Sequence, residues 1–395
     1  MAFPGMRSTN DWGTDERPKN YREGILMTSP RNGAPLYSLT SQMKSESTDD
    51  PEFAWWEEME EMFGFSLSAD IDNAVTTIPL VSDGTKLKPG DILLAAATGE
   101  QMRVTAVASG TSITVARAFG PGGSLAGTAA AIDIPAASPK LLYIGAAYRE
   151  GAGRPQGSSW NPVKKKNYTQ IFRTPVEWTR TASKTRVRTG DTMREDRRRT
   201  LGKHSIGIER ALWLGQPYET VESGQPLRTT GGFLSFIDTG NIKTVTAGGV
   251  DLDEFESYME MIFAYGSGEK VGWCSIKTMM IINSIIRKNS NYQWGPREKE
   301  YRMDVRRFYT PAGTIVFTEH PLFGQTGQFL QEDLAIMDTK DLRYRYIDDT
   351  KLLKDREDKG VDGTAEEYLS EIGLEVHNPL DHALLKGFKA AKVDD

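Results

Sequence analysis

Apolar positions recur with the period of an α-helix most clearly between residues 191 and 213. Asp191 and Thr192 are candidate N-cap residues at the start of this pattern, and Gly215 and Pro217 end it. Spacings of i, i+4, i+7 and i+11 predict a stripe that faces the core, made of Leu201, Ser205, Ile208 and Leu212. At about 1.5 Å per residue, such a helix is roughly 33 Å long.

The rest of the surface of this helix is strongly basic. Its positive charges are Arg197, Arg198, Arg199 and Lys203. Successive helical positions are about 100° apart, so these side chains cannot all face one partner. Contact with phosphate or with an acidic face of another subunit is one interpretation. A solvated helix surface, with Glu195 and Asp196 as local partners, is the alternative.

Residues 1–51 are polar and turn-rich, with only short apolar anchors, and they predict an arm rather than a domain. We expect the arm to dock on a neighbouring subunit or on the body of its own chain. Terminal disorder is the alternative.

The next stretch, residues 52–65, fits two patterns. Phe53 and Trp55 alternate as in a strand, whereas one helical face would hold Phe53, Trp56, Met59 and Phe63. Two adjacent tryptophans in a charged setting suggest an exposed contact area, with packing inside the subunit as the alternative.

From about residue 74 to 151 charged residues become rare and short apolar stretches alternate with glycine turns. Strands with one apolar face are predicted by two alternations, Met102, Val104 and Ala106, and then Ile113 and Val115. A small barrel or sandwich satisfies this pattern, because closure removes exposed edges.

Residues 167–184 return to a strand pattern, in which Pro175 predicts an edge or hairpin position. The β-rich region is therefore bracketed by residues 52–58 going out and residues 168–179 coming back. This arrangement predicts a long hairpin with a domain at its tip.

After the long helix, a second helix is predicted from Asp251 to before Gly266, and a third over residues 275–288. The third is apolar on most sides and is expected to be buried. The predicted strands are residues 314–318, 334–338, 342–347 and 373–377, with a solvated loop at 354–359. Helices beside a mixed or antiparallel sheet predict an α+β body.

Length and composition limit the class of protein. The 395 residues predict two or three domains, and 38% hydrophobic residues suffice for packed cores. A net charge of -6 argues against general coating of nucleic acid, although residues 184–203 are locally basic. Cys274 stands alone, which excludes an internal disulfide and fits synthesis in a reducing cytoplasm. With no signal core and no long apolar run, neither standard secretion nor a membrane partner is expected.

The chain offers only partial matches to catalytic or metal-binding motifs. Residues 266–270 have the wrong spacing for a phosphate loop, and Val271 stands where the magnesium-binding hydroxyl belongs. Asp70 and Asp72 begin like a calcium loop that lacks its turn glycine. The four histidines show no metal-ligand spacing, and no GxSxG motif occurs. We therefore expect no catalytic residue, no metal and no cofactor, and a protein that acts by interaction.

Several longer sequence strings resemble a known family. They are YREGILMTSPRNGAPLYSL in the arm, PEFAWWEE after it, PGDILLAAATGEQMRVTAV and SITVARAFG in the β-rich region, NYTQIFRTPVEW behind that, and IGLEVHNPLDHALLKGF near the end. With the element order, they resemble the major capsid proteins of tailed bacteriophages, in the branch whose E-loop carries an inserted β domain. The resemblance spans about residues 21–388.

The resemblance implies a phage major capsid fold of the α+β class. Its parts would be an N-terminal arm (1–51), an E-loop hairpin (52–190) with an inserted small β-barrel (about 74–151), the spine helix and P-domain (191–230), the A-domain (231–350) and a C-terminal return to the body (351–395). In that family the stretch matching residues 52–58 pairs along the base of the loop, which favours a strand there.

The function implied by the resemblance is structural. The chain would self-assemble into pentamers and hexamers that form the icosahedral or prolate head of a tailed phage around double-stranded DNA, and it would be located in the virion. Implied partners are further copies, a portal protein, a decoration protein or scaffold, and packaged DNA on the inner face. The N-terminus lacks a long helical scaffolding-type segment, which implies a separate scaffold or none.

Two alternative functions stay open: a nucleic-acid-binding protein that uses the basic helix, and a carbohydrate-binding or adhesion protein that uses the β domain. The predicted β extensions argue against both, because long exposed extensions are aggregation liabilities unless neighbouring subunits cover them.

One surface is expected to carry contacts between subunits, with the acidic start of the E-loop of one copy against the basic helix of the next. The residues of this hypothesis are Trp55, Trp56, Glu57, Glu58, Arg197, Arg198, Arg199 and Lys203.

Overall fold

The computed structural model describes residues 44–58, 64–81, 83–120, 134, 141–155, 157, 161–185, 187, 191–246, 249–288, 298–300, 303–324 and 330–389. The chain divides into two compact units. Trp56–Val163 forms the smaller unit, and the chain on either side of this segment forms the larger one.

The described residues contain four α-helices: α1 Arg180–Lys184, α2 Thr192–Leu214, α3 Leu252–Phe263 and α4 Ile276–Lys288. The strands there, in chain order, are β1 Ser45–Ser47, β2 Glu52–Glu57, β3 Gly64–Phe65, β4 Thr77–Pro79, β5 Asp91–Ala95, β6 Gln101–Ser109, β7 Ser112–Ala116, β8 Leu141–Ala146, β9 Val163–Tyr168, β10 Gln170–Thr179, β11 Tyr218–Glu222, β12 Gln225–Thr229, β13 Ile242–Thr244, β14 Glu269–Cys274, β15 Glu298–Glu300, β16 Met303–Tyr309, β17 Thr314–Glu319, β18 Leu334–Met337, β19 Leu342–Leu353, β20 Gly363–Val376 and β21 Ala383–Lys386.

The larger unit contains a four-stranded sheet in the order β1-β19-β20-β10. β1 runs parallel to β19, and β20 is antiparallel to both β19 and β10. β10 lies at an edge, which confirms the position predicted from Pro175. The exposed loop at residues 354–359 connects β19 to β20, also as predicted.

The larger unit also contains a seven-stranded mixed sheet in the order β13-β21-β18-β14-β17-β16-β15. Side chains alternate between its faces along β14. Cys274 lies in the core that α3 and α4 share with the sheet, and Trp273 lies in the core that includes α2. The predicted second and third helices and four strands are all present, which confirms the α+β body.

Helix α4 is not buried on most sides, contrary to the prediction. Ile282 and Ile285 are buried, but Ile276 and Met280 are 49% and 63% exposed. The reason is that a helix packed on one face of a sheet buries a single stripe, whatever the polarity of its other sides.

Strand β2 confirms the strand predicted over residues 52–58, but its partner differs from the prediction. β2 pairs with β9 in a two-stranded sheet, whereas β10 pairs with β20. The alternation in residues 168–179 identifies a strand without identifying its neighbour, because β20 lies far along the chain.

The smaller unit contains a six-stranded antiparallel sheet in the order β3-β8-β5-β6-β7-β4. Residues 66–68, which follow β3, are hydrogen-bonded to residues 79–81 at the end of β4. The Val81 N–H donates to the Ser66 carbonyl at 2.9 Å, and the Ser68 N–H donates to the Pro79 carbonyl at 3.2 Å.

The core of the smaller unit follows the predicted alternation only in part. Its members include Phe65, Ile71, Met102, Val104, Ile113 and Val115. Ala106 is exposed, contrary to the alternation, because a bulge after Val104 reverses the direction of the following side chains. Phe65 and Ile71 precede residue 74, so this core begins ahead of the change in composition.

A buried ion pair lies beside the six-stranded sheet, between Glu100 just before β6 and Arg117 just after β7. Arg117 and Glu100 meet through two hydrogen bonds of 2.8 Å. The same guanidinium donates to the carbonyls of Asp72 and Val75 at 2.9 Å, and the Ala118 N–H donates to Glu100 at 2.9 Å. With these bonds made, burial of the two charges is compensated, and residues 72–75 are tied to the sheet.

We predict that the larger unit folds without the smaller one. Replacing residues 58–162 with a short Gly/Ser bridge should preserve a cooperative thermal transition, because neither core of the larger unit contains a residue from that segment. Far-UV circular dichroism during heating measures this, with the full chain as control. A deletion variant without cooperative melting would contradict the prediction.

Candidate inter-subunit surface on the long helix

The first half of α2 is attached to the four-stranded sheet by an ion pair. Asp191 caps the helix by accepting a hydrogen bond from the Arg194 N–H at 3.2 Å, which confirms the predicted start. Arg197 donates two hydrogen bonds, of 2.6 and 2.7 Å, to the buried Glu366 carboxylate. Its guanidinium also lies 5.3 Å from the centroid of the Trp178 ring. The hydrogen bonds to Glu366 raise the pKa of Arg197.

His204 is buried, although the helical pattern predicted Leu201 and Ser205, not His204, for the side that faces the core. Its Nδ1 lies 2.9 Å from Thr174 Oγ1, and its Nε2 lies 2.8 Å from Ser370 Oγ. Burial lowers the pKa of His204, so the ring is neutral at pH 7. Leu201, predicted to face the core, is 39% exposed. The sheet beneath this half of α2 presents hydroxyl and carboxyl groups, which need polar partners when buried.

The second half of α2 is held by a polar network as well as by apolar packing. The buried residues of the whole helix are His204, Ile208, Glu209, Leu212 and Trp213, so the predicted stripe is correct at Ile208 and Leu212. The Glu209 carboxylate lies 2.9 Å from both Trp213 Nε1 and His320 Nε2. His320 Nδ1 accepts from the Leu322 N–H at 3.2 Å, so Nε2 is the nitrogen that donates to Glu209.

Three of the four predicted basic residues of α2 are exposed. Arg198 lies 3.6 Å from Glu195 and Arg199 lies 3.6 Å from Asp196, and the two arginine side chains are 58% and 52% exposed. Lys203 is also exposed. At about 100° per residue, Arg199 and Lys203 lie about 200° and 240° around the helix from Arg197. The contact that orients Arg197 inward therefore orients these two outward.

The two tryptophans of β2 have opposite environments. Trp55 is buried, with its ring centroid 5.8 Å from that of Phe236 and 5.9 Å from that of His377. Trp56 is 65% exposed. Alternation along the strand accounts for the difference. Trp55 therefore packs within the chain, and only Trp56 presents a large apolar surface to solvent.

One exposed feature was missed in the sequence. β11 and β12 form a two-stranded hairpin on which Tyr218, Val221 and Leu227 are exposed. The two-residue turn is Ser223 and Gly224, both at positive φ, which is the type of turn that joins hairpin strands. The Ser-Gly pair between two short β-rich stretches was the available signal.

The described residues contain no group of three or more His, Cys, Asp or Glu side chains that could hold a metal ion. Cys274 is buried, and this burial raises the pKa of its thiol and disfavours the reactive thiolate. In the same part of the chain, no helix combines the length and apolarity needed to span a membrane.

Comparison with known proteins identifies the family. The model of the SU10 major capsid protein family matches residues 6–389. The chain belongs to this family. A major capsid protein of Pseudomonas phage PaMx41 is 27% identical over 418 residues, which cover 99% of this chain and 97% of the relative. The capsid of an empty GTA particle contains a chain of similar fold, with a TM-score of 0.51 at 9% identity over 98% of both chains.

Family membership establishes the general role. The chain is a structural major capsid protein of a phage, forms part of the virion capsid, and is not an enzyme. Its mixed sheets and few helices make a phage-capsid-like fold. The family supports neither of the alternative functions, nucleic-acid binding by the basic helix or carbohydrate binding by the β domain.

We predict that Arg197 and Arg199 contribute unequally to stability. Arg197→Met should lower the free energy of unfolding by about 2 kcal/mol, because it leaves the buried Glu366 carboxylate without its partner. Arg199→Met removes the same charge from an exposed position and should cost less than about 0.5 kcal/mol. Denaturant unfolding measures both values. Equal losses would show that the Glu366 contact is not the stabilising one.

Proposed function

We propose that copies of this chain assemble into pentamers and hexamers, which close into the icosahedral or prolate head of a tailed phage around double-stranded DNA. The observation that carries the proposal is the contrast among the basic residues of α2. Arg197 binds Glu366 of its own chain, whereas Arg198, Arg199 and Lys203 are exposed. A shell subunit offers such side chains two kinds of surface, another copy and the packaged DNA.

The partner we favour for these residues is the acidic start of the E-loop of a neighbouring copy, residues 52–61. Trp56 is highly exposed there, beside Glu57 and Glu58; residues 59–61 lie outside the described residues. Arginines gain ion pairing from carboxylates and a cation–π contact from an indole ring. Each exposed pair contributes about 0 to 1 kcal/mol, but a closed shell repeats the contact in every copy.

Trp55 and Arg197 are omitted from the proposed contact, although the sequence hypothesis included them. Trp55 is packed against Phe236 and His377, and Arg197 is bound to Glu366. Moving either side chain to a neighbouring copy would expose an apolar surface or leave a buried carboxylate without a partner.

The proposal includes a division of the chain into functional parts. We assign residues 1–51 to the N-terminal arm, 52–190 to the E-loop, 191–230 to the spine helix and P-domain, 231–350 to the A-domain and 351–395 to the C-terminal return. The six-stranded unit would be a β-barrel inserted in the E-loop, which the hydrogen bonds between residues 66–68 and 79–81 support. Pairing of β1 with β19 supports an arm whose last residues join the sheet of the body. Residues 1–43 lie outside the described residues.

A second contact between copies is proposed at the β11–β12 hairpin. A two-stranded hairpin is only marginally stable in water, and this one exposes Tyr218 and Leu227 on one face and Val221 on the other. Packing against another copy would cover these side chains. A portal protein, a scaffold or decoration protein, and DNA on the inner face complete the proposed set of partners.

The charge-reversal variant Arg198→Glu/Arg199→Glu should block or misdirect particle assembly. The melting temperature of the unassembled protein should change little, because both residues are exposed and exposed ion pairs such as Arg198–Glu195 and Arg199–Asp196 contribute about 0 to 1 kcal/mol. Lys354→Glu/Lys359→Glu makes the same change of charge in an exposed loop and is the matched control. Negative-stain microscopy and thermal melting measure assembly and stability.

Further outcomes of this experiment separate the two partners. Adding Glu57→Lys and Glu58→Lys should partly restore assembly if the neighbouring E-loop is the partner. Normal empty shells that fail only to retain DNA would assign the basic residues to the genome instead. Normal, DNA-filled particles from the double Glu variant would refute a role for this surface.

A further inference from the structure

The last residues of the arm join the body through a short strand without an apolar anchor. β1 lies parallel to β19, with its middle residue Glu46 opposite Arg345. All three side chains of β1 are exposed, and none belongs to a hydrophobic core. At the start of the strand, the Tyr344 N–H donates to the Lys44 carbonyl at 3.2 Å. Backbone hydrogen bonds do little more than offset the entropy of ordering so short a strand, so the docking of β1 depends on its side-chain contacts.

An ion pair supplies a side-chain contact between β1 and the body. Glu46 Oε2 lies 2.6 Å from Arg345 Nη1, and the Glu46 side chain is 48% exposed. The same guanidinium donates through Nε to Glu375, which lies on β20. Arg345 therefore bridges a carboxylate of the arm and a carboxylate of the body.

The body end of this bridge is fixed by burial. Glu375 is buried, and its other oxygen binds His377, whose ring centroid lies 5.9 Å from that of the buried Trp55. Burial acts to raise the pKa of Glu375, but the hydrogen bonds from His377 and Arg345 outweigh it and lower that pKa. A buried carboxylate is costly to leave without a partner. We therefore expect Arg345 to stay on Glu375 whether or not Glu46 is bound.

The connection from β1 to β2 keeps β1 close to its docking position. Thr48 Oγ1 donates to the Asp50 carbonyl at 2.9 Å, and Asp50 Oδ1 accepts from the Glu52 N–H at 2.9 Å. The Thr169 N–H donates to the Pro51 carbonyl at 2.8 Å, which attaches the connection to the body. A detached β1 would therefore remain near β19 at a high effective concentration, so its docking can be reversible.

We infer that Arg345 is a clasp for the N-terminal arm, with an inner end fixed on Glu375 and an outer end that binds Glu46 reversibly. Opening of the outer end detaches β1 and leaves the hydrophobic cores intact, because no core includes a residue of β1. Since residues 1–43 precede β1, the clasp determines where the arm leaves the body.

The two ends of the clasp differ in their response to salt. The Glu46 side chain is half exposed, so dissolved ions screen its attraction to Arg345. The Glu375 side chain is only 4% exposed, so its contact with Arg345 is screened much less. Raising the ionic strength should therefore open the outer end and leave the inner end closed.

Hydrogen exchange of the unassembled full chain, followed by mass spectrometry at about 0.05 M and about 0.5 M salt, tests the clasp. The Tyr344 amide is the reporter, because it donates to the Lys44 carbonyl and loses that bond when β1 detaches. Its protection should fall by about threefold at the higher salt, the size expected for the loss of a partly exposed ion pair. Protection of the β20 amides should not change.

Variants at the two ends of the clasp should differ. Glu46→Gln removes the charge at the outer end, so protection of the Tyr344 amide should be low at both salt concentrations. Glu46→Lys places a like charge beside Arg345 and should lower this protection further. Neither variant should shift the melting temperature, whereas Arg345→Met deprives the buried Glu375 of a partner and should lower it.

A matched control removes an equivalent carboxylate elsewhere. Glu219 binds Arg228 at 2.8 Å across β11 and β12, so Glu219→Gln should leave the protection of the Tyr344 amide and its salt dependence unchanged.

Two results would overturn the clasp. One is equal protection of the Tyr344 amide in the wild type and in Glu46→Lys at low salt, which would show that β1 docks without the ion pair. The other is an equal loss of melting temperature in Glu46→Gln and Arg345→Met, which would show that the outer end is as fixed as the inner one. If Arg345→Met does not fold, the wild type and the two Glu46 variants still decide the first point.

Discussion

The ion pair between Arg197 and Glu366 determines which side of the long helix the rest of the molecule can use. Glu366 is buried on the four-stranded sheet and would be costly to leave unpaired, so Arg197 must face it. The helical period then places His204 over Thr174 and Ser370, and directs Arg199 and Lys203 to the opposite side. The Arg197–Glu366 contact therefore gives Arg197 a structural role and leaves Arg199 and Lys203 on the outer surface of α2.

The same helix joins the two sheets of the larger unit through a single core. Ile208, Leu212 and Trp213 pack with Trp273 and Met337 of the seven-stranded sheet and with Leu374 of the four-stranded sheet. The opposite face of the seven-stranded sheet is covered separately by α3 and α4. The two sheets are thus connected by the core around α2 and by the segments that link their strands, residues 338–341 and 377–382.

Local signals in the sequence predicted most of the elements. Asp191 and Asp251 cap α2 and α3 as their positions indicated, and Pro175 lies on an edge strand. The predictions that were wrong are those that depend on residues far away in the sequence. Leu201 was assigned to the core because it is apolar, but the polarity of the opposing sheet is set by Glu366 and Ser370, which are remote in sequence.

The candidate surface shows the same limit. The basic residues of α2 were evident in the sequence. Helical geometry alone showed that they cannot all face one partner. The arginine that faces inward could not be identified without the position of Glu366. The buried tryptophan could not be identified without the positions of Phe236 and His377.

The division of the α2 arginines into one internal contact and one contact between copies is tested by a cryo-electron microscopy structure of particles assembled from this chain, at a resolution that shows side chains. We expect Arg197 to remain on Glu366 of its own copy, with Arg198 and Arg199 within ion-pairing distance, about 4 Å, of carboxylates on a neighbouring copy. Particles in which both exposed arginines face solvent, or in which Arg197 pairs across the subunit boundary, would contradict it.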